Sequence, residues 1–203
     1  MNIRAIIWDF GGVILRTTNP ESRNQLASEF GMTRLELEYL VFASPLGKKA
    51  QLGEITPDDL WAGLLSHLGA PIEESKTIQK RFWGGDCLDH NLIEYIQSLK
   101  SSYKTALLSN AWKDLRHLLN NEWEISKIFD EIIVSAEVEV MKPDPQIYQI
   151  TLERLNIDAH EAIFIDDFER NIKGAQRVGM HAVQFLNPEQ IKTDLDKILK
   201  TSN

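Results

Sequence analysis

Ala162-Ile163-Phe164-Ile165-Asp166-Asp167 is the stretch on which the fold turns. Four apolar residues in unbroken succession suit a strand covered on both faces, as in a parallel sheet. The two carboxylates that follow repel each other and are costly beside a buried strand unless a cation or a donor resolves them. Four more short apolar runs punctuate the chain, at 3–8, 105–108, 132–134 and 182–185. Between the last four strands lie helical patterns. Residues 112–120 carry Leu115, Leu118 and Leu119 on one face, and 146–155 carry Ile147, Ile150, Leu152 and Leu155. The stretch 168–178 stops at Gly179, and Asn187-Pro188 opens a last amphipathic helix to about residue 199. Strand and helix in this alternation predict an α/β fold, a doubly wound parallel sheet.

The first interval breaks the alternation. Between Asp9 and residue 105 helical patterns dominate, at 21–30, 34–42, 58–68, 73–83 and 92–99. Thr56-Pro57-Asp58-Asp59 reads as a helix start, with Thr56 as the cap and Pro57 at the first helical position. The expected organisation is a Rossmann-like core of residues 1–14 and 96–203, split after its first strand by an all-helical cap domain of residues 15–95.

Composition bounds the function. Of 203 residues 43% are hydrophobic and 26% charged, which is enough apolar material for a core and excludes disorder or a rod. The formal net charge of −8 argues against binding to nucleic acid or to anionic membrane surfaces. An anionic substrate would need a local cation to cancel that field. The single cysteine, Cys87, excludes an intrachain disulfide and a Cys-rich zinc site, and it reads as a small apolar filler. No run approaches a membrane span of roughly 18 apolar residues, and the N-terminal run is too short for a signal peptide. A soluble, cytoplasmic protein is expected, with oligomeric state open.

In an open parallel sheet the ligand site lies at the carboxyl ends of the strands. There stand Asp9, then Ser109-Asn110, then Lys142-Pro143-Asp144-Pro145, then Asp166-Asp167. Singly these are ambiguous. Asp9-Phe10-Gly11-Gly12-Val13 fits a capped Gly-Gly turn as well as a nucleophilic carboxylate, and Ser and Asn are common after strands. Together they outline a magnesium-and-anion site, with hard carboxylate oxygens for the cation and Lys plus Ser for the anion.

In this order and at four strand ends, these residues resemble the haloacid dehalogenase superfamily. Its smaller cap domain also resembles the inserted helices, so the likeness runs over essentially the whole chain. Asn171, Gly174, Ala175 and Gly179 sit as the family's last motif would place them. The resemblance implies Asp9 as nucleophile, Ser109 and Asn110 as substrate-binding residues, and Lys142 as the motif lysine. It implies a magnesium site from Asp9, the Gly11 carbonyl, Asp166 and Asp167. The expected activity is hydrolysis of a small phosphorylated metabolite through an aspartyl-phosphate. One departure matters: phosphatases of this family usually carry a second Asp two residues after the nucleophile as general acid/base, and here that position is Gly11. Glu54 and His67 are candidate replacements from the cap. The rival readings are a dehalogenase, using Arg16 or Arg23 for a substrate carboxylate, and a phosphonate-cleaving relative, using Lys48 or Lys49. A silent domain that binds a phospho-ligand or a protein is the third.

Overall fold

The computed structural model describes residues 2–200. Its strands are β1 (Ala5–Trp8), β2 (Leu15–Thr17), β3 (Asp86–Leu88), β4 (Lys104–Ser109), β5 (Glu131–Val134), β6 (Ala162–Asp166) and β7 (His181–Gln184). Five of them form one parallel sheet in the order β5-β4-β1-β6-β7. These five are the apolar runs of the sequence. The sixth and seventh, β2 and β3, make a separate antiparallel ribbon with Leu15 opposite Leu88 and Thr17 opposite Asp86.

The cap interval holds α1 (Glu21–Glu29), α2 (Arg34–Glu38), α3 (Pro45–Gln51), α4 (Pro57–Leu68) and α5 (Ser75–Trp83). The core interval holds α6 (His90–Leu99), α7 (Leu115–His117), α8 (Ser135–Val138), α9 (Pro145–Leu155), α10 (Glu169–Arg177) and α11 (Pro188–Lys200). Thr56 caps α4 as its sequence predicts: its hydroxyl accepts from Asp59 N at 3.1 Å while the Asp59 carboxylate takes Thr56 N.

The central strand shows why the sheet is covered twice. All four β1 residues are fully buried, and alternate side chains go to opposite faces. Ile6 and Trp8 join a cluster with Leu92, Ile93 and Ile96 of α6 and Ile191 and Leu195 of α11. Ala5 and Ile7 join the other, with Ile147 and Leu152 of α9 and Ile172 and Ala175 of α10. Helix α6 therefore belongs with the sheet, and the expected boundary at 95–96 falls inside it.

The cap has its own apolar cluster, in which Leu26, Leu37, Leu60, Trp61, Leu64, Ile78 and Phe82 are buried. Trp112, from the loop after β4, is drawn into it, with ring centroids 5.8 Å from Trp83 and 6.2 Å from Trp61. The helix expected over 112–120 begins later, at Leu115, and the turn α7 runs on directly into a π segment at Leu118–Glu122. Cys87 is exposed rather than a core filler, because it lies between Asp86 and Leu88 on the open side of the narrow ribbon.

Candidate active site

The carboxyl ends of β1, β4 and β6 and the loop before α9 bring the sequence-selected residues together. Asp9 follows β1 directly, and its N–H donates to Ile165 O at 2.8 Å, which ties the turn to β6. Its Oδ1 accepts from Phe10 N and from Lys142 Nζ, each at 2.7 Å. The same ammonium lies 2.7 Å from Asp166 Oδ2. Lys142 is buried, with Nζ 5.4 Å above the Phe164 ring.

Asn110 aims that lysine. Its Oδ1 accepts from Lys142 N at 2.8 Å and its Nδ2 donates to Lys142 O at 2.9 Å. Both heteroatoms of the amide are thus spent on the main chain of the lysine loop. Ser109 ends β4 as a buried residue, and its hydroxyl has no hydrogen-bond partner among the described residues.

Asp166 is the most tightly held carboxylate. Asn171 Nδ2 lies 3.0 Å from both of its oxygens, and Phe168 N donates to Oδ1 at 2.8 Å. Asp167 differs: its Oδ1 is buried with no hydrogen-bond partner. Gly12 makes room for this carboxylate. With φ at +82° it adopts a conformation that favours glycine, and a Cβ there would lie 2.4 Å from Asp167 Oδ2. Nothing but the Gly-Gly pair in the sequence hinted at that contact. Gly11 is the opposite case: a Cβ at this position would meet no atom within 4 Å.

Oxygens of Asp9, Asp166 and Asp167 lie within 4.8 Å of one another. Three carboxylates against one ammonium leave two negative charges, the charge of one divalent cation. The unpartnered Asp167 oxygen and the hard all-oxygen donor set fit a magnesium ion. The electrostatics carry the strain of the excess charge. Burial, then the neighbouring Asp166, pushes the Asp9 carboxyl well above its usual range, and Lys142 opposes them. Burial works against the Lys142 ammonium, but Asp9 and Asp166 outweigh it and hold its pKa above the ordinary value. Burial and Asp166 push Asp167 up to about 6.

That last shift has a measurable consequence. The folded pKa of Asp167 lies above its unfolded value near 3.8, so the native state binds the extra proton between these two. Stability from this group is complete below 3.8 and is lost as pH rises through about 6. In chelator, Asp167→Asn is expected to melt above the wild type at pH 7 to 8, with the gap closing below about pH 4. Scanning calorimetry across that range checks it, and a gap that widens on acidification refutes it.

The other candidates make different contacts. Arg23 is buried within the cap: Nε donates to Phe82 O at 2.8 Å, and its terminal nitrogens pair with Glu38 at 2.8 Å and Asp86 at 2.7 Å. Arg16 pairs with Asp89. The Arg23 guanidinium is fully engaged, whereas Arg16 keeps a buried Nε with no partner. Glu54, His67, Lys48 and Lys49 are exposed. Trp61 and Phe42 pack with Phe82, Trp83 and Trp112 in the cap interior, while Tyr39 lies on an outer groove with Met32 and Leu35. Among the described residues no helix is long and apolar enough to cross a membrane.

Known proteins are similar to this chain. The chain is 30% identical over 184 residues to the sesquiterpene phosphatase of Aspergillus oryzae, covering 87% of each. It is 27% identical over 227 aligned positions to bifunctional epoxide hydrolase 2 of Rattus norvegicus. That match takes in 99% of this chain, which spans 40% of the rat protein's length. A HAD family enzyme from Bacteroides thetaiotaomicron, crystallised with magnesium and inorganic phosphate, superposes with a TM-score of 0.76 at 23% identity. It covers 92% of this chain and 96% of its own, and it carries the same fold. The family model described as haloacid dehalogenase-like hydrolase matches residues 6–185, and with that span the chain belongs to this family.

Proposed function

We propose that the protein is a magnesium-dependent phosphatase that hydrolyses a small phosphorylated metabolite through Asp9. The observation that carries this reading is the cluster itself: a buried Asp9 and Asp166 sharing one lysine, beside an Asp167 oxygen with no partner. Magnesium held by Asp9, Asp167 and the Gly11 carbonyl would neutralise charge on the phosphoryl oxygens. Asp166, whose oxygens are taken by Asn171, Phe168 N and Lys142, is assigned to holding the lysine.

The Asp9 carboxylate attacks phosphorus in line, and the P–O bond to the alcohol breaks, giving an aspartyl-phosphate. Water then attacks that phosphorus, releases inorganic phosphate and regenerates the carboxylate. Lys142 and the unpartnered Ser109 hydroxyl hold phosphoryl oxygens, which is where phosphoryl transfer gains most of its rate. The phosphatase relative and the magnesium and phosphate of the solved relative support the assignment. The pairing of Arg16 with Asp89 and of Arg23 with Glu38 and Asp86 weighs against haloacid dehalogenation. The cap, α1 to α5 around its own apolar cluster, is the part we assign to substrate selection.

The test is release of phosphate from p-nitrophenyl phosphate, dependent on magnesium and stopped by chelation. Inertness towards this ester and a panel of sugar and alkyl phosphates would favour a binding role, and halide release unaffected by chelator would favour a dehalogenase.

Gly11 gives a second, constructive test. No residue at this position can protonate the leaving alcohol, so esters with good leaving groups are the favoured substrates. Because a Cβ there meets no atom within 4 Å, Gly11→Asp is expected to fold. It should raise kcat on alkyl phosphates by about a hundredfold, the low end of general acid catalysis, and raise it less on p-nitrophenyl phosphate. An equal change on both ester classes would contradict an acid/base role for the position.

A further inference from the structure

Asp166 is gripped by an amide that has a support of its own. Asn171 lies in the first turn of α10 and is buried, and its main-chain carbonyl accepts from the Tyr148 hydroxyl at 2.8 Å. Tyr148 is fully buried and comes from α9, the helix that starts at Pro145 just past Lys142. Its ring meets Phe164 edge to face with centroids 5.5 Å apart, and Phe164 underlies the Lys142 ammonium. One phenol therefore braces the Lys142–Asp166 ion pair from two directions without touching either charge.

The hydroxyl is the informative group. Phenylalanine would fill nearly the same volume, so packing alone does not require it. A buried hydroxyl must be hydrogen-bonded or costs free energy, and here the single acceptor is a carbonyl on the element that carries Asn171. The facing turn is shaped around it. A Cβ at Gly174 would lie 2.7 Å from the Tyr148 oxygen and 3.0 Å from Pro143 Cβ. The contact thus ties the helix after the lysine motif to the helix after the acidic pair.

We propose that Tyr148 is a positioning residue: its hydroxyl fixes the first turn of α10, and so the Asn171 amide that holds Asp166 and keeps Lys142 against Asp9. Only the kinetic readout of this proposal rests on the phosphatase reading. Partners that orient a site residue through a hydrogen bond are worth about ten- to a hundredfold in activity.

The experiment compares the full-length wild type with Tyr148→Phe, using p-nitrophenyl phosphate and magnesium. The expected result is a fall in kcat of about tenfold, with KM changed by no more than about twofold. Independently of activity, the Asn171 side-chain amide resonances should shift and their protons exchange faster with solvent. Gly174→Ala pushes on the same hydroxyl and should also lower kcat. Combined with Tyr148→Phe its loss should be less than the product of the two. Unchanged kcat with superimposable Asn171 resonances overturns the proposal, as does a rise in KM at constant kcat. If the wild type releases no phosphate, the phosphatase reading fails, and the Asn171 resonances still decide the positioning role.

Discussion

Asp9→Asn is expected to lower phosphate release by at least about ten-thousandfold, the scale on which loss of a nucleophile acts. The substitution keeps the volume of a buried side chain and keeps an oxygen for Phe10 N and Lys142 Nζ. It removes the charge that serves both the nucleophile and the magnesium site, and leaves the packing in place. Its effect on folding should therefore run opposite to its effect on rate. The carboxyl is held well above its usual pKa by burial and by Asp166, so the neutral form is the less strained one in metal-free protein. An uncharged amide is expected to match or exceed the wild-type melting temperature in chelator at neutral pH. Acid-quenched wild type should retain phosphate covalently during turnover, and the variant should retain none. Residual activity within about tenfold of wild type would remove Asp9 as nucleophile, whatever the rest of the site does.

How much of this was legible in the chain depends on what each residue touches. The five sheet strands announced themselves because burial on both faces forces unbroken apolar runs. The ribbon strands did not: Leu15-Arg16-Thr17 and Asp86-Cys87-Leu88 are three residues each, half-buried or exposed, too short for any periodicity. Helix α3 carried a readable signal, Ser44 as cap with Pro45 at its first position, but Leu46 is the one long apolar residue between them and Gln51. The boundary drawn at residue 95 cut through the helical pattern at 92–99. The buried Leu92, Ile93 and Ile96 face the sheet instead, and a single amphipathic helix does not say which neighbour its apolar stripe meets.

The candidate site was legible where function needs side-chain charge at a strand end, as with Asp9, Lys142 and Asp166-Asp167. It was illegible where a side chain serves the backbone. Asn110 reads as a donor for a ligand, yet its amide closes two bonds on the Lys142 main chain. Gly12 reads as half of a turn, yet its missing Cβ is the space occupied by the Asp167 carboxylate. Neither relation has a spacing signature, because the partners are 32 and 155 positions away in sequence.

Lys142→Met is the second change with a large expected effect, and here folding and rate should fall together. Methionine matches the length of the stem, so the loss is that of the charge. With the ammonium gone, Asp9 Oδ1 and Asp166 Oδ2 keep no shared cation between them while both remain buried. Breaking a buried ion pair from one side costs about 3–5 kcal/mol, because the uncompensated charge stays behind. Protonation is the protein's way out of that cost, and it gives the prediction its sign. Without Lys142 the Asp9 carboxyl loses the interaction that opposes its upward shift, so its folded pKa rises further above the unfolded one. The variant should then approach wild-type stability at acidic pH and fall progressively below it as pH rises towards neutrality. Magnesium should recover more melting temperature in the variant than in the wild type, since it becomes the main cation left at the cluster. Turnover should drop by about a thousandfold, as expected when a charged donor to the transferring phosphoryl group is lost. A stability deficit independent of pH would point to packing alone. A variant with wild-type turnover would mean that the lysine at the centre of the cluster does no more than hold it together.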